Sequence, residues 1–180
     1  LAVKLGRKPA AAGVAIVHAR VLDIERRRWL PDHTVVVVDG RIAALGPSKR
    51  TRPPRGADVL DAGGRAVLPG LWNMHTHNRG DDGRLDIAAG ITTVRDLGND
   101  ADLLDDLKRR RDEGVAIGPR VLRSGFIEGR GANAASSKIT AETEAEARAA
   151  VEFYAARGYE GIKIYNSVKP ALVPVLARLA

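Results

Sequence analysis

The sequence predicts an α/β fold in which an all-β stretch precedes four strand–helix units of a parallel sheet. Three observations carry this. Strand-like segments follow one another without an intervening helix as far as Leu68, strands alternate with helical segments after Pro69-Gly70, and Gly or Pro marks most junctions. Strand, helix, strand, helix is the order of a parallel sheet, and four such units make half of an eight-unit barrel or most of an open sheet. An eight-unit barrel takes about 250 residues, so on the barrel reading these 180 residues stop midway.

In chain order, Val14 to Leu22 is rich in β-branched and aliphatic residues. Thr34 to Val38 runs through Asp39-Gly40 into Arg41 to Leu45, a tight hairpin signal. Pro47 to Gly56 has the composition of an exposed loop, and Val59-Leu60 and Ala66 to Leu68 are short strand candidates around Gly63-Gly64. Leu71 to His77 is an apolar run, Arg84 to Ala89 a short helix ended by Gly90, and Ile91 to Asp96 a second β-branched run. Asp100 to Glu113 reads as a helix with Leu103, Leu104 and Leu107 on one buried face and Gly114 at its stop. Val121 to Ser124 is the third strand. Thr143 and Glu146 have capping-box spacing and open a helix with Ala147, Ala150, Val151 and Tyr154 on one side, stopping at Gly158. Gly161 to Tyr165 is the fourth strand, and Pro170 opens a last helix still running at Ala180. The order divides the chain into a flexible segment at 1–13, a β segment at 14–68 and four β/α units at 69–180.

Composition excludes several classes. With no Cys there is neither a disulfide framework nor a thiolate metal site. No stretch approaches the roughly 18 apolar residues of a membrane span, and no intact signal peptide opens the chain. The +7 net charge invites a nucleic-acid partner, but its distribution argues against one. Lys108 to Arg111 close a helix whose first turns hold Asp100, Asp102, Asp105 and Asp106, an arrangement the helix dipole favours locally, and aromatic residues for stacking on bases are few. No G-x-G-x-x-G or P-loop pattern follows any strand.

Two places carry chemistry. His75-Thr76-His77 ends the first apolar strand, and side chains two apart on a strand share a face, so both imidazoles can reach one ion; Asn73 has the same parity. An H-x-H also arises by chance, but in parallel α/β folds ligands gather where this pair falls, at the C-terminal ends of strands. Lys163 lies between Ile162 and Ile164. With the two Ile facing the helices, Lys163 turns to the inner side, where an ammonium is paired, modified or catalytic, or else snorkels to water. Arg95-Asp96 reads as a structural ion pair or a helix-capping Asp, and His18 and His33 as structural or exposed, since neither has a chelating neighbour.

With these residues in place, the chain resembles the amidohydrolase superfamily, in particular its imidazolonepropionase-like and metal-dependent prolidase-like members. Val35 to Leu45 is similar to the family's N-terminal β-sandwich hairpin. Asp61 to His77, with a Pro-Gly-Leu turn leading into H-x-H, resembles its most diagnostic motif. Ala89 to Asn99, Gly118 to Gly125 and Gly158 to Tyr165 resemble its second, third and fourth barrel strands. The resemblance implies half of a (β/α)8 metal-dependent hydrolase barrel preceded by a small β-sandwich segment. It also implies one or two divalent ions, most commonly zinc. His75 and His77 would bind the more buried ion and Lys163, carboxylated on its ε-amine, would bridge both. The activity implied is hydrolysis of an amide or related C–N bond in a small-molecule, cyclic-amide or dipeptide-like substrate.

Position 73 departs from the pattern: Asn73 stands where the family usually has Asp, which predicts weaker metal binding. The resemblance further implies two His and a catalytic Asp beyond residue 180, so no catalytic residue is assigned and the 180 residues alone are expected to be inactive. Two other readings stand beside this one, a non-enzymatic scaffold with the same fold and, less favoured, a basic nucleic-acid-binding domain. Neither nucleic acid nor membrane is expected as a partner, homo-oligomers remain open, and the compartment is cytoplasmic by default with export left open.

Overall fold

The computed structural model describes residues 13–80 and 82–180, so the segment expected to be flexible at 1–13 lies, apart from Gly13, outside the described residues. The chain divides into two units, Leu1–Pro69 and Gly70–Ala180.

The first unit is one five-stranded sheet. β1 (Val14–Asp23), β2 (Arg28–Val38) and β3 (Arg41–Pro47) are antiparallel neighbours, while β4 (Asp58–Asp61) and β5 (Ala66–Val67) run parallel to β1. Asp39 (φ 49°) and Gly40 (φ 72°) form the tight turn that their sequence signals, with the two positive φ values that match strand twist. Ala19, Val21, Val35 and Ala62 are the buried core of this sheet. β1 loses regular register between Ile16 and Ala19, where His18 takes φ 52° and its Nδ1 lies 2.9 Å from Asp32 Oδ1 on the surface. His33 Nδ1 donates to the Pro31 carbonyl at 2.7 Å.

The second unit alternates strand and helix throughout: β6 (Leu71–Thr76), α1 (Asp82–Ala88), β7 (Ile91–Asp96), α2 (Ala101–Asp112), β8 (Arg120–Ile127), α3 (Glu144–Ala156), β9 (Gly161–Ile164), a 3-10 turn (Pro170–Leu172) and α4 (Val173–Leu179). The strands are parallel in the order β6-β7-β8-β9, a curled sheet with half the strands of an eight-stranded barrel. Two apolar clusters bind helices to one face. Val94 and Val121 meet Leu104 and Leu107 of α2, and Ile127, with Ile162 and Ile164 packed beside it, meets Ala147, Ala150, Val151, Tyr154 and Leu176 of α3 and α4. Asp100 caps α2 through the Asp102 and Leu103 amides, and Thr143 and Glu146 form both bonds of the capping box on α3.

Three sequence expectations need correction here. Leu103 is exposed while Leu104 and Leu107 are buried, because Leu103 lies about 100° around the helix from Leu104 and the inward stripe continues to Arg111 instead. The third strand is longer than expected, continuing past Ser124 to Ile127. The last helix is not continuous from Pro170 to Ala180. Pro174 has no N–H to give the Pro170 carbonyl, which accepts from Val173 in a 3-10 turn before α4 begins, and α4 closes at Leu179. Close packing of α3 on β8 depends on Gly125. A Cβ there would stand 2.3 Å from the Tyr154 ring, whose hydroxyl donates to the Phe126 carbonyl at 3.0 Å. Burial pushes that phenol up to about 12.

Candidate metal centre

His75 lies in β6 and His77 one residue past its end, with ring centroids 5.4 Å apart. Two imidazoles that each place a nitrogen about 2.0–2.1 Å from a shared tetrahedral ion have centroids roughly 5 Å apart, so the pair fits one ion with small adjustment. His77 Nδ1 lies 2.9 Å from the Gly98 carbonyl. A carbonyl only accepts, so Nδ1 carries a hydrogen, and in the neutral ring this leaves Nε2 with the lone pair that a metal ligand requires. Both rings are exposed. Asn73 Oδ1 is taken by the His75 backbone N–H at 3.2 Å, and Asn73 pairs with Val94 just before the β6–β7 register breaks.

Lys163 is half-buried on β9, with Ile162 and Ile164 on either side packed against the α3–α4 cluster, so its side chain leaves the opposite face. Its Nζ stands 4.5 Å from the Tyr165 ring centroid and 5.6 Å from that of Phe126, which is its register partner on β8. Among the described residues no carboxylate forms an ion pair with it. A Cβ at Gly98 would lie 3.2 Å from His77 Cε1 and 3.5 Å from Phe126 Cγ. Gly98 therefore stands between the His77 ring and Phe126, and Phe126 in turn neighbours the lysine. The two imidazoles meet directly, whereas Lys163 connects to them through Phe126. Among the described residues no three His, Cys, Asp or Glu side chains converge.

Two buried carboxylates at strand ends were not legible from the sequence as loop clamps. Asp96, read from sequence as an ion-pair or helix-capping residue, forms no ion pair and caps no helix among the described residues. It is fully buried at the end of β7, where Oδ2 accepts from the Asn78 N–H and from Asn99 Nδ2, both at 2.7 Å, and Oδ1 accepts from the Gly98 N–H at 3.1 Å. The turn following the strand leaves inward N–H groups, and the carboxylate supplies their acceptor. Glu128, one residue past β8, is equally buried and accepts from the Gly129, Ser167 and Ala135 amides at 2.9, 2.8 and 2.9 Å. Burial raises its carboxyl, but the three N–H donors outweigh that and hold it below its ordinary value. Arg111, last of the basic run on α2, is buried and donates to Asn78 Oδ1 at 3.1 Å; desolvation pulls it down, against nearby Asp86, Asp82 and Asp96. An acidic residue at or just past a strand end is the signal that could have drawn attention to both carboxylates.

No protein-family model matches the chain. The chain is 37% identical over 101 residues to a 5-methylthioadenosine/S-adenosylhomocysteine deaminase of Syntrophobacter fumaroxidans, covering 54% of this chain and 20% of that protein. It is 39% identical over 103 residues to an imidazolonepropionase of Saccharopolyspora erythraea, covering 49% of this chain and 26% of that one. Among solved structures, a presumed prolidase from Bifidobacterium longum superposes with a TM-score of 0.74 at 31% identity, over 89% of this chain and 42% of its own. The chain thus spans about a fifth to a quarter of these curated relatives and about two fifths of the solved structure. The second unit's parallel sheet is curled as a half-barrel, the first unit is a separate sheet, and the solved structures they resemble are amidohydrolase barrel proteins of which the chain covers a minority. The curated relatives and the solved structure that the chain resembles are members of the amidohydrolase superfamily. Its named relatives are hydrolases acting on carbon–nitrogen bonds. Among the described residues no helix is long and apolar enough to cross a membrane.

Proposed function

We propose that this chain contributes a divalent-metal site to a hydrolase of carbon–nitrogen bonds, with His75 and His77 as ligands of one ion and Lys163 as a further ligand in carboxylated form. The observation that carries the reading is the paired imidazoles, 5.4 Å apart, with His77 Nδ1 committed to a backbone carbonyl. Neutral imidazole nitrogen suits zinc among the available divalent ions. An ion held there would supply Lewis acidity, bringing the pKa of a water toward neutrality and polarising the bond to be split.

The chain's own residues do the rest. The Gly98 carbonyl orients His77 so that its unprotonated nitrogen points away from the β7 turn. Phe126 and Tyr165 hold the Lys163 amine against their faces on the inner side of β9. In neutral form that amine adds CO2 and loses one proton, which converts a half-buried cation into an anionic ligand with two oxygens. The substrate is a small molecule with an amide, cyclic amide or dipeptide-like C–N bond. Zinc titration of the full chain by calorimetry tests the reading. The wild type is expected to take up one or two ions saturably, and the double variant His75→Ala/His77→Ala to lose that uptake; equal binding by the two proteins refutes it.

A further inference from the structure

We infer that Asp96 is the positioning residue of His77, fixing both the peptide unit after it and the carbonyl that selects its tautomer. The consequence for metal affinity rests on the reading above; the geometry does not. Asp96 accepts the Asn78 N–H, which belongs to the peptide bond leaving His77, and it accepts the Gly98 N–H. The Gly98 carbonyl in turn receives the His77 Nδ1–H at 2.9 Å. One carboxylate thus holds the histidine from its backbone side and from its ring side. Asn99 closes the arrangement by donating through Nδ2 to Asp96 and to the Asn78 carbonyl, at 2.7 and 2.9 Å.

The residue type follows from the donors. Three N–H groups converge on Asp96, and an ionised carboxylate offers acceptors only, whereas an Asn amide must turn its NH2 toward at least one of them. Asp96 is 0% exposed and forms no ion pair among the described residues. Burying an unpaired carboxylate costs stability unless its hydrogen bonds are well made, so its presence needs a return. Orientation of His77 is one, since groups behind metal-ligating histidines set tautomer and ring angle. Gly98 adds a steric requirement: a Cβ there would lie 3.3 Å from His77 Nδ1, so the ring rests on bare backbone.

The test is the side-chain 15N–1H correlation spectrum of His77 in the labelled full chain at mildly alkaline pH, assigned by loss of its signals in His77→Ala. Neutral histidine in water favours the Nε2–H form, so a His77 held as Nδ1–H reports the Gly98 bond. The wild type is expected to show the Nδ1–H form alone. Asp96→Asn, with unchanged far-UV circular dichroism, is expected to show a mixture with Nε2–H and zinc binding about 10- to 100-fold weaker. Glu128→Gln, which disturbs the other buried carboxylate, is expected to leave the tautomer and zinc affinity as they are. A wild-type His77 in the Nε2–H form, or a folded Asp96→Asn with an unchanged tautomer, overturns the inference. If the tautomer responds as expected and zinc does not bind, the positioning role stands and the metal reading falls. Should Asp96→Asn not fold, Asn99→Ala takes its place, because it removes one of the two donors on Oδ2 and lets the carboxylate turn. An unshifted His77 in that variant overturns the inference equally.

Discussion

Asp96 and Glu128 sit at equivalent places in the half-barrel, each fully buried just at or past a strand end and each accepting three hydrogen bonds. They serve different ends. Asp96 joins the loops after β6 and β7, and two of its three donors flank His77 in space. Glu128 joins the loops after β8 and β9 through three backbone amides, and none of its donors reaches the Lys163 amine, which lies against aromatic faces instead. An imidazole has two distinguishable nitrogens and must be told which to present, while an amine on a flexible stem needs only a place to lie. The same device therefore orients a ring at one strand pair and merely closes loops at the other.

Of the two carboxylates, Glu128 is the more costly to disturb. Glu128→Gln turns an amide NH2 toward backbone donors and is expected to cost roughly 2–4 kcal/mol, more than Asp96→Asn, one of whose donors is a side chain free to turn away. Urea unfolding at neutral pH measures this. Because the folded-state carboxyl of Glu128 lies below its ordinary value, its contribution is complete above the unfolded value and lost as pH falls through the folded one. The gap between wild type and variant should then close on acidification below about pH 4.3. A gap that stays constant would mean the carboxylate charge is not what binds the loops.

A smaller effect sharpens the contrast from outside both clamps. Thr143→Ala removes the reciprocal cap of α3 and should cost about 1 kcal/mol, with the His77 tautomer unmoved; a tautomer change would show that general loosening suffices to release the ring. The smallest belongs to the surface pair in the first unit. Hydrogen bonding to Asp32 raises His18, so this pair's contribution is present below the unfolded value of about 6.5 and fades as pH rises through the raised one. Asp32→Asn should flatten the pH dependence of the melting temperature in that window, and only slightly, since the pair is solvated.

Much of the layout was legible because it is written in local chemistry. Asp39-Gly40 dictates its turn, Thr143 and Glu146 their cap, and the two Ile beside Lys163 the face that the lysine takes. Even the face of the His pair follows from a two-residue spacing. What could not be read is what depends on residues far apart in sequence. Asp96 and Glu128 look like ordinary strand-end acids, and only the folded chain brings Asn78 and Gly98 to one, Ala135 and Ser167 to the other. Arg111 reads as the end of a solvated basic run until the inward stripe of α2 is seen to include it. Leu103 differs for the opposite reason, being apolar yet exposed on the outer side of α2 among the described residues.

Gly125 has a consequence for how such a sequence can change. The Tyr154 ring occupies the volume where any other residue at 125 would place its first side-chain carbon. Mutating the glycine alone forces α3 outward, and with it the hydroxyl that steadies the Phe126 carbonyl beside the lysine strand. Substitution is open only if a smaller residue replaces the tyrosine at the same time, so these two positions should vary as a pair or not at all.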